Sequence, residues 1–265
     1  MKKLIVFLLL PVLFSCGEYQ KVLNGNDPVK QYSMASKLFE KGKYARAEKL
    51  FALAEPYYKD KPQYERLLFR HALSLFKLKQ YFSAGYKFRR FTVLFPNSSK
   101  REEAEYYIVK SYYHLTPEYY RDLTYGEKTL EEAERFLSMY PEGKFSKEIK
   151  EISAEIIHRF HRKGFEDAKL YYDLGYFKSA IKALNNFMSE YPGSPYREQA
   201  MFFRFMAAAD LALNSVESKQ DERLKKALEY YEKFIKFYPQ SKWKNKAEQK
   251  KQKLDKLNQQ EIAKK

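Results

Sequence analysis

The sequence predicts an all-α protein, an α-solenoid of about five helix pairs closed by a C-terminal helix, and three observations predict it. Apolar residues recur at three and four positions, the period of a helix, while strand-like alternation is nearly absent. A phrase returns four times: FTVLFPNS from Phe91, FLSMYPEG from Phe136, FMSEYPGS from Phe187 and FIKFYPQS from Phe234. Its prolines, 96, 141, 192 and 239, are 45, 51 and 47 residues apart, and such a period marks a stacked helical array. Small residues also stand at fixed distances before the prolines. Ala84 and Ala72 precede Pro96 by 12 and 24, Ala180 and Ala168 precede Pro192 likewise, and Ala227 precedes Pro239 by 12.

The chain opens with a secretion pattern over residues 1–15. Lys2 and Lys3 make a basic start, and Leu4 to Phe14 is apolar apart from Pro11, a run shorter than the roughly 20 residues a membrane span needs. Leu13-Phe14-Ser15-Cys16 then resembles the lipobox of bacterial lipoproteins. That resemblance implies a diacylglycerol on the Cys16 thiol, cleavage just before it and acylation of the new amine. Two or three acyl chains hold a protein firmly where one does not. Cys16 is the only cysteine, so acylation leaves no thiol for a disulfide. Residues 16–27 read as a lipidated tether, and 28–263 as a single array.

The predicted pairs are about 28–58, 62–96, 98–141, 146–192 and 195–239, followed by a basic helix over about 242–263. In the first pair Ala35 and Ala47 are again 12 apart, with Phe51 and Ala54 after them. Small residues let paired helices approach closely, and Gly42-Lys43-Tyr44 and Gly175-Tyr176 supply turns. Two aromatics four apart share one helix face and pack inward, and the proline after them stops the helix. Ser99 with Glu102 has the spacing of a capping box, and Ser194-Pro195 places proline at a first helical position. The third pair carries HLTPEYYRDLTYGEK and the fifth LNSVESKQDE as extra residues. This pattern resembles the tetratricopeptide repeat. Its usual tryptophan is missing and its spacing exceeds the roughly 34-residue consensus, which implies long first helices or inserted loops.

The net charge is +16, and loss of Lys2 and Lys3 with the signal lowers it to +14. An exported lipoprotein does not meet nucleic acid, so anionic lipid headgroups or acidic protein surfaces are the expected partners. Much of the charge alternates along helix faces, as in EKGKYARAEK, and reads as solvated surface. No glycine-rich phosphate loop, G-x-S-x-G or H-E-x-x-H occurs. His158 and His161 share a helix face but no cysteine or distinctive acid accompanies them. The expectation is no enzyme, no cofactor and no metal.

With 24 Tyr and 21 Phe, aromatic residues exceed what helix packing needs, and some are expected at a surface. Tyr57, Tyr81 and Tyr86, near Lys87, Arg89 and Arg90, suit an extended chain with aromatic side chains and an acidic end. Lys242 and Lys246, in a dense basic set beside Trp243, suit a folded partner with an acidic surface. Trp243 as a cap on the core, with the lysines as a solvated face, is the plain alternative.

CGEYQKVLNGNDPVKQYSMASKLFEKGKYARAEKLF, TPEYYRDLTYGEKTLEEAERFLSMYP and FEDAKLYYDLGYFKSAIKALNNFMSEYP, in this order, resemble the BamD family of the Bacteroidetes type, lipoproteins of the outer-membrane β-barrel assembly machinery. The resemblance covers nearly the whole chain after Cys16. It implies a non-enzymatic scaffold on the periplasmic face of the outer membrane. Such a scaffold binds the insertase BamA mainly through its C-terminal repeats, and unfolded outer-membrane proteins through its N-terminal ones. It also points to Lys182, beside Ala183, as a basic position on the second helix of the fourth repeat. Two alternatives stay open: a periplasmic repeat lipoprotein acting in cell-wall or division processes, and a surface-exposed lipoprotein of nutrient uptake. The second lacks the acidic cluster of a surface-export signal in Gly17-Glu18-Tyr19-Gln20.

Overall fold

The computed structural model describes residues 17–264, and the elements among them are helices. The expected signal segment and Cys16 lie outside the described residues. Helix α1 covers 17–24. The pairs follow as α2 (Pro28–Glu40) with α3 (Tyr44–Tyr58), α4 (Tyr64–Lys77) with α5 (Tyr81–Leu94), and α6 (Arg101–Leu115) with α7 (Thr124–Met139). After them come α8 (Ser146–Asp173) with α9 (Phe177–Glu190), α10 (Arg197–Leu213) with α11 (Glu217–Phe237), and the closing α12 (Lys244–Lys264). Helices and turns fall where the sequence predicts them. Contacts divide the described chain into two compact units at Ile156 and Ile157, within α8.

In the first unit each helix packs on the next, and the first helices α2, α4 and α6 also touch in order. Its core holds Leu50, Phe51, Leu67, Phe88 and Phe91, with Ala35, Ala47, Ala54, Ala72 and Ala84 fully buried between them. The second unit is built around α10, which packs on α9, α11 and α12. Phe187, Phe202, Phe205 and Phe234 fill its core beside Ala168 and Ala227, and Ala180 is fully buried. Removing one such phenylalanine costs roughly 3–5 kcal/mol. Twelve before Pro141, where the other pairs carry alanine, Thr129 is fully buried and meets the Thr116 hydroxyl at 3.2 Å.

The recurring phrase has one geometry at all four sites. The first aromatic is buried and the second lies on it, with centroids 5.4 Å apart for Phe91 and Phe95, 5.2 Å for Phe136 and Tyr140, 5.5 Å for Phe187 and Tyr191, and 6.3 Å for Phe234 and Tyr238. Two successive turns then centre on Ser98, Gly143, Ser194 and Ser241, whose carbonyls accept from Arg101, Ser146, Arg197 and Lys244 amides. The predicted caps shift accordingly. Ser98, not Ser99, accepts an amide, that of Lys100 at 3.0 Å, and no Ser99–Glu102 box forms because α6 begins at Arg101. Pro195 lies in the entry turn, ahead of the start of α10 at Arg197.

The turn inside the first, second and fourth pairs also repeats. Gly42 and Gly175 have φ of +68° and +77°, and Lys79 holds the same position at 61°. Lys43 N–H bonds Leu38 O at 2.8 Å, Gln80 N–H bonds Leu75 O at 3.0 Å, and Tyr176 N–H bonds Tyr171 O at 2.8 Å. This ties off the helix end with a left-handed residue that glycine adopts freely.

Two expectations are corrected. The tether is helical over 17–24, and Tyr19, Val22 and Leu23 pack on the first core, so apolar burial docks it. The side-chain amide of Gln31 secures it by donating to Gly25 O at 2.7 Å. LNSVESKQDE is no inserted loop, because α11 starts at Glu217 and absorbs most of it as extra helical turns. The third pair does carry a longer connection, 116–123, and the 28 residues of α8 make a long first helix.

Candidate partner-binding surfaces

A cavity of about 660 Å³ in the first unit opens along α2, α4 and α6. In α4 Arg66, Arg70 and Leu73 face it and Phe69, itself buried edge-on against Phe88 and Phe91, forms its floor, while Leu67, Leu68, Ala72 and Leu75 enter the core. Three- and four-residue spacing produces this division. Phe39, Phe69 and Leu73 give apolar wall, and cations lie over the rings. The Arg70 guanidinium is 5.4 Å from the Phe39 centroid and Lys100 Nζ is 5.6 Å from that of Phe69. Arg70 also pairs with Glu40 at 2.5 Å, and Lys100 with Glu103 at 2.8 Å. Arg66 is exposed and makes no ion pair among the described residues. Aromatic walls beside an uncompensated guanidinium can hold apolar side chains of an extended chain together with a carboxylate.

The tyrosines singled out in the sequence are not in this groove. Tyr57 and Tyr86 are 46% and 68% exposed on the second helices α3 and α5, with Lys61 Nζ 3.4 Å from the Tyr57 ring centre. Tyr81 is half-buried at the start of α5, where it stacks on His114 at 4.5 Å and meets Phe76 edge-on at 5.3 Å. The neighbouring cations serve an internal network. Lys87 and Arg90 both bind Glu55, at 2.7 and 3.1 Å, and Arg89 and Arg135 close on Glu105 and Glu132. A carboxylate as buried as Glu105 needs such partners. The sequence held a signal for the groove, the basic and aromatic stripe of α4, but it reads equally as an ordinary solvated helix face.

In the second unit, Trp243 stacks on Phe202 with centroids 5.7 Å apart and joins the core, while Lys242 covers its outer face at 4.5 Å. Lys246 is exposed and lies 5.9 Å from the Phe202 ring centre. Lys250 is withdrawn from the basic set, because it pairs with Asp210 of α10 at 2.6 Å. Tyr172 donates to the same carboxylate at 3.3 Å, and burial with Asp210 beside it pushes the phenol up to about 12. Lys251 pairs with Asp255 at 2.8 Å. Lys182 is exposed on α9. His158 Nε2 meets the Tyr196 hydroxyl at 3.1 Å and His161 meets the Tyr191 ring at 5.0 Å, so both serve ring packing. Burial lowers the pKa of His161.

Stacked helix pairs, alanine contacts and left-handed turns define a tetratricopeptide-like repeat protein. The chain belongs to the YfiO family of outer membrane lipoproteins, whose family model matches residues 25–181 and again 158–264. It is also similar to two solved repeat structures. MamA protein is 17% identical, with 79% of this chain and 94% of that chain covered, at a TM-score of 0.33. TTC0263, a tetratricopeptide protein of Thermus thermophilus, is 17% identical, with 86% and 98% covered, at 0.32. Both likenesses are too loose to bear on the binding surfaces. No curated protein matches.

Proposed function

We propose that this protein is a non-enzymatic, lipid-anchored scaffold of the outer-membrane β-barrel assembly machinery, of the Bacteroidetes type, facing the periplasm. The anchor is Cys16. The first unit receives the C-terminal segment of unfolded outer-membrane proteins, and the second binds the BamA insertase. Membership of an outer membrane lipoprotein family supports the setting. The observation that carries the client reading is the groove of α2, α4 and α6, where Phe39 and Phe69 flank the unpaired Arg66. An extended chain ending in an aromatic residue and a free carboxylate presents the complementary groups. Exposed Lys182, Lys242 and Lys246 support an acidic, folded partner for the second unit.

A synthetic peptide matching a barrel protein's C-terminus, and its C-terminal amide, test the groove by fluorescence anisotropy. Binding that weakens about tenfold on amidation or in Arg66→Gln agrees with a charge-assisted contact. Equal binding of both peptides removes the carboxylate from the reading. Affinity purification from solubilised membranes tests the partner, and recovery without any barrel-forming insertase would refute that half.

A further inference from the structure

We propose that a second cavity, between α1 and α2, receives the headgroup of an anionic phospholipid and so fixes how the first helix pair meets the membrane; this rests on the reading of Cys16 as lipid anchor. The cavity measures about 550 Å³. Tyr19 and Val22 of α1 and Met34 and Leu38 of α2 supply apolar lining. Lys30 and Lys37 lie along α2, Lys41 follows just past its end, and Arg46 enters from α3. Glu18 is the one acid in the lining.

The charges are disposed for an external anion. Lys30 meets Asp27 at 3.0 Å, and the Arg46 guanidinium lies 5.1 Å from the Tyr19 ring centre, holding α1 against the pair. Lys37 and Lys41 are exposed and make no ion pair among the described residues. Basic side chains over an apolar floor are the pattern of an interfacial element, and each cation near an anionic surface adds to its attraction. Position along the chain selects the membrane over a soluble acidic partner. Glu18 is two residues after Cys16, and two residues span at most about 7 Å. Acyl chains on Cys16 would hold this cavity at the headgroup layer, where phosphate meets Lys37 and Lys41 and the glycerol region meets Met34 and Leu38. The C-terminal basic helix is not joined to Cys16 by so short a link, and its Lys250 is neutralised internally.

The test uses the mature chain with Cys16→Ser, so that no acyl chain contributes, in sedimentation with two vesicle types. Phosphatidylethanolamine vesicles containing phosphatidylglycerol should retain the protein, while vesicles containing phosphatidylcholine instead should not. Lys37→Gln with Lys41→Gln should lower retention about tenfold or more, whereas Lys242→Gln with Lys246→Gln should change it less than about twofold. Gln at 37 and 41 keeps the helix, which circular dichroism verifies. Equal retention on neutral vesicles, unchanged retention of the Lys37 and Lys41 variant, or equal loss from both lysine pairs overturns the proposal. Fatty-acid labelling of the wild-type chain in cells reports the anchor separately. Labelled Cys16 without vesicle binding defeats the cavity alone, and vesicle binding without label defeats the anchor alone.

Discussion

Glu55 of α3 and His71 of α4 meet at 2.9 Å between consecutive helix pairs, deep enough that both are buried. The same carboxylate takes Lys87 at 2.7 Å and Arg90 at 3.1 Å from α5, and the Tyr64 hydroxyl at 3.4 Å. His71 turns its other nitrogen to Glu48, 3.4 Å away. One acid thus joins three successive helices. Burial opposes its ionisation, but hydrogen bonds from His71 and Lys87 outweigh burial and hold its pKa down at about 2. Glu48 is lowered by the same histidine.

The pH dependence follows from that direction. A carboxylate whose folded pKa lies below its ordinary 4.5 contributes stability that is complete above 4.5 and lost as pH falls toward 2. Denaturant unfolding across this window should show stability dropping on the acid side. Glu55→Gln should be less stable near neutrality by roughly 2–4 kcal/mol, since the cations around it lose their counter-charge but keep some access to water. The variant should also show a shallower acid limb. Parallel acid limbs for the two proteins would remove Glu55 from the account.

At Lys79 the backbone takes a left-handed conformation where the equivalent turns have Gly42 and Gly175. Lys79→Gly removes that strain against a larger unfolded-state entropy, and should leave stability raised by up to about 1 kcal/mol. Gly175→Ala should do the reverse by a similar amount. Thermal melts of both variants check the signs. A loss of stability in Lys79→Gly would mean that the lysine side chain contributes more than the turn costs it.

Trp243 is the only tryptophan, so its fluorescence follows the second unit. Trp243→Ala should cost roughly 2–3 kcal/mol, below the full-burial figure because one face is covered only by Lys242. The loss should appear in the absence of any partner, by circular dichroism of the isolated protein. An unchanged melt with weakened insertase binding would return Trp243 to the partner surface.

Cys16→Ala should abolish fatty-acid labelling and leave the exported chain held only by peripheral contacts that high salt strips from the membrane fraction, because no described helix is long and apolar enough to cross a bilayer. Labelling equal to wild type would show that the lipobox resemblance misleads.

Helices, turns and core residues were legible because each is written locally. An aromatic, three residues and an aromatic before proline end a helix wherever they occur, and alanine at a fixed distance before that proline marks a close approach. Phe91, Phe136, Phe187 and Phe234 are all buried as that pattern requires. The sequence by itself therefore determined the fold class, the order of the pairs and most of the buried residues. Which exposed-looking groups are free was decided only by the tertiary structure. Lys87, Arg89 and Arg90 resemble a basic surface until α3, α6 and α7 bring Glu55, Glu105 and Glu132 against them. Tyr81 gains a stacking partner in His114, and the expected tether is a docked helix because Tyr19 and Val22 find a core to enter. Arg66 and Lys37 gained their candidacy the same way, by what no neighbouring helix supplies. Helix periodicity assigns a side chain to a face, but charge neutralisation and stacking depend on residues about 30 to 40 positions away, whose approach only packing fixes.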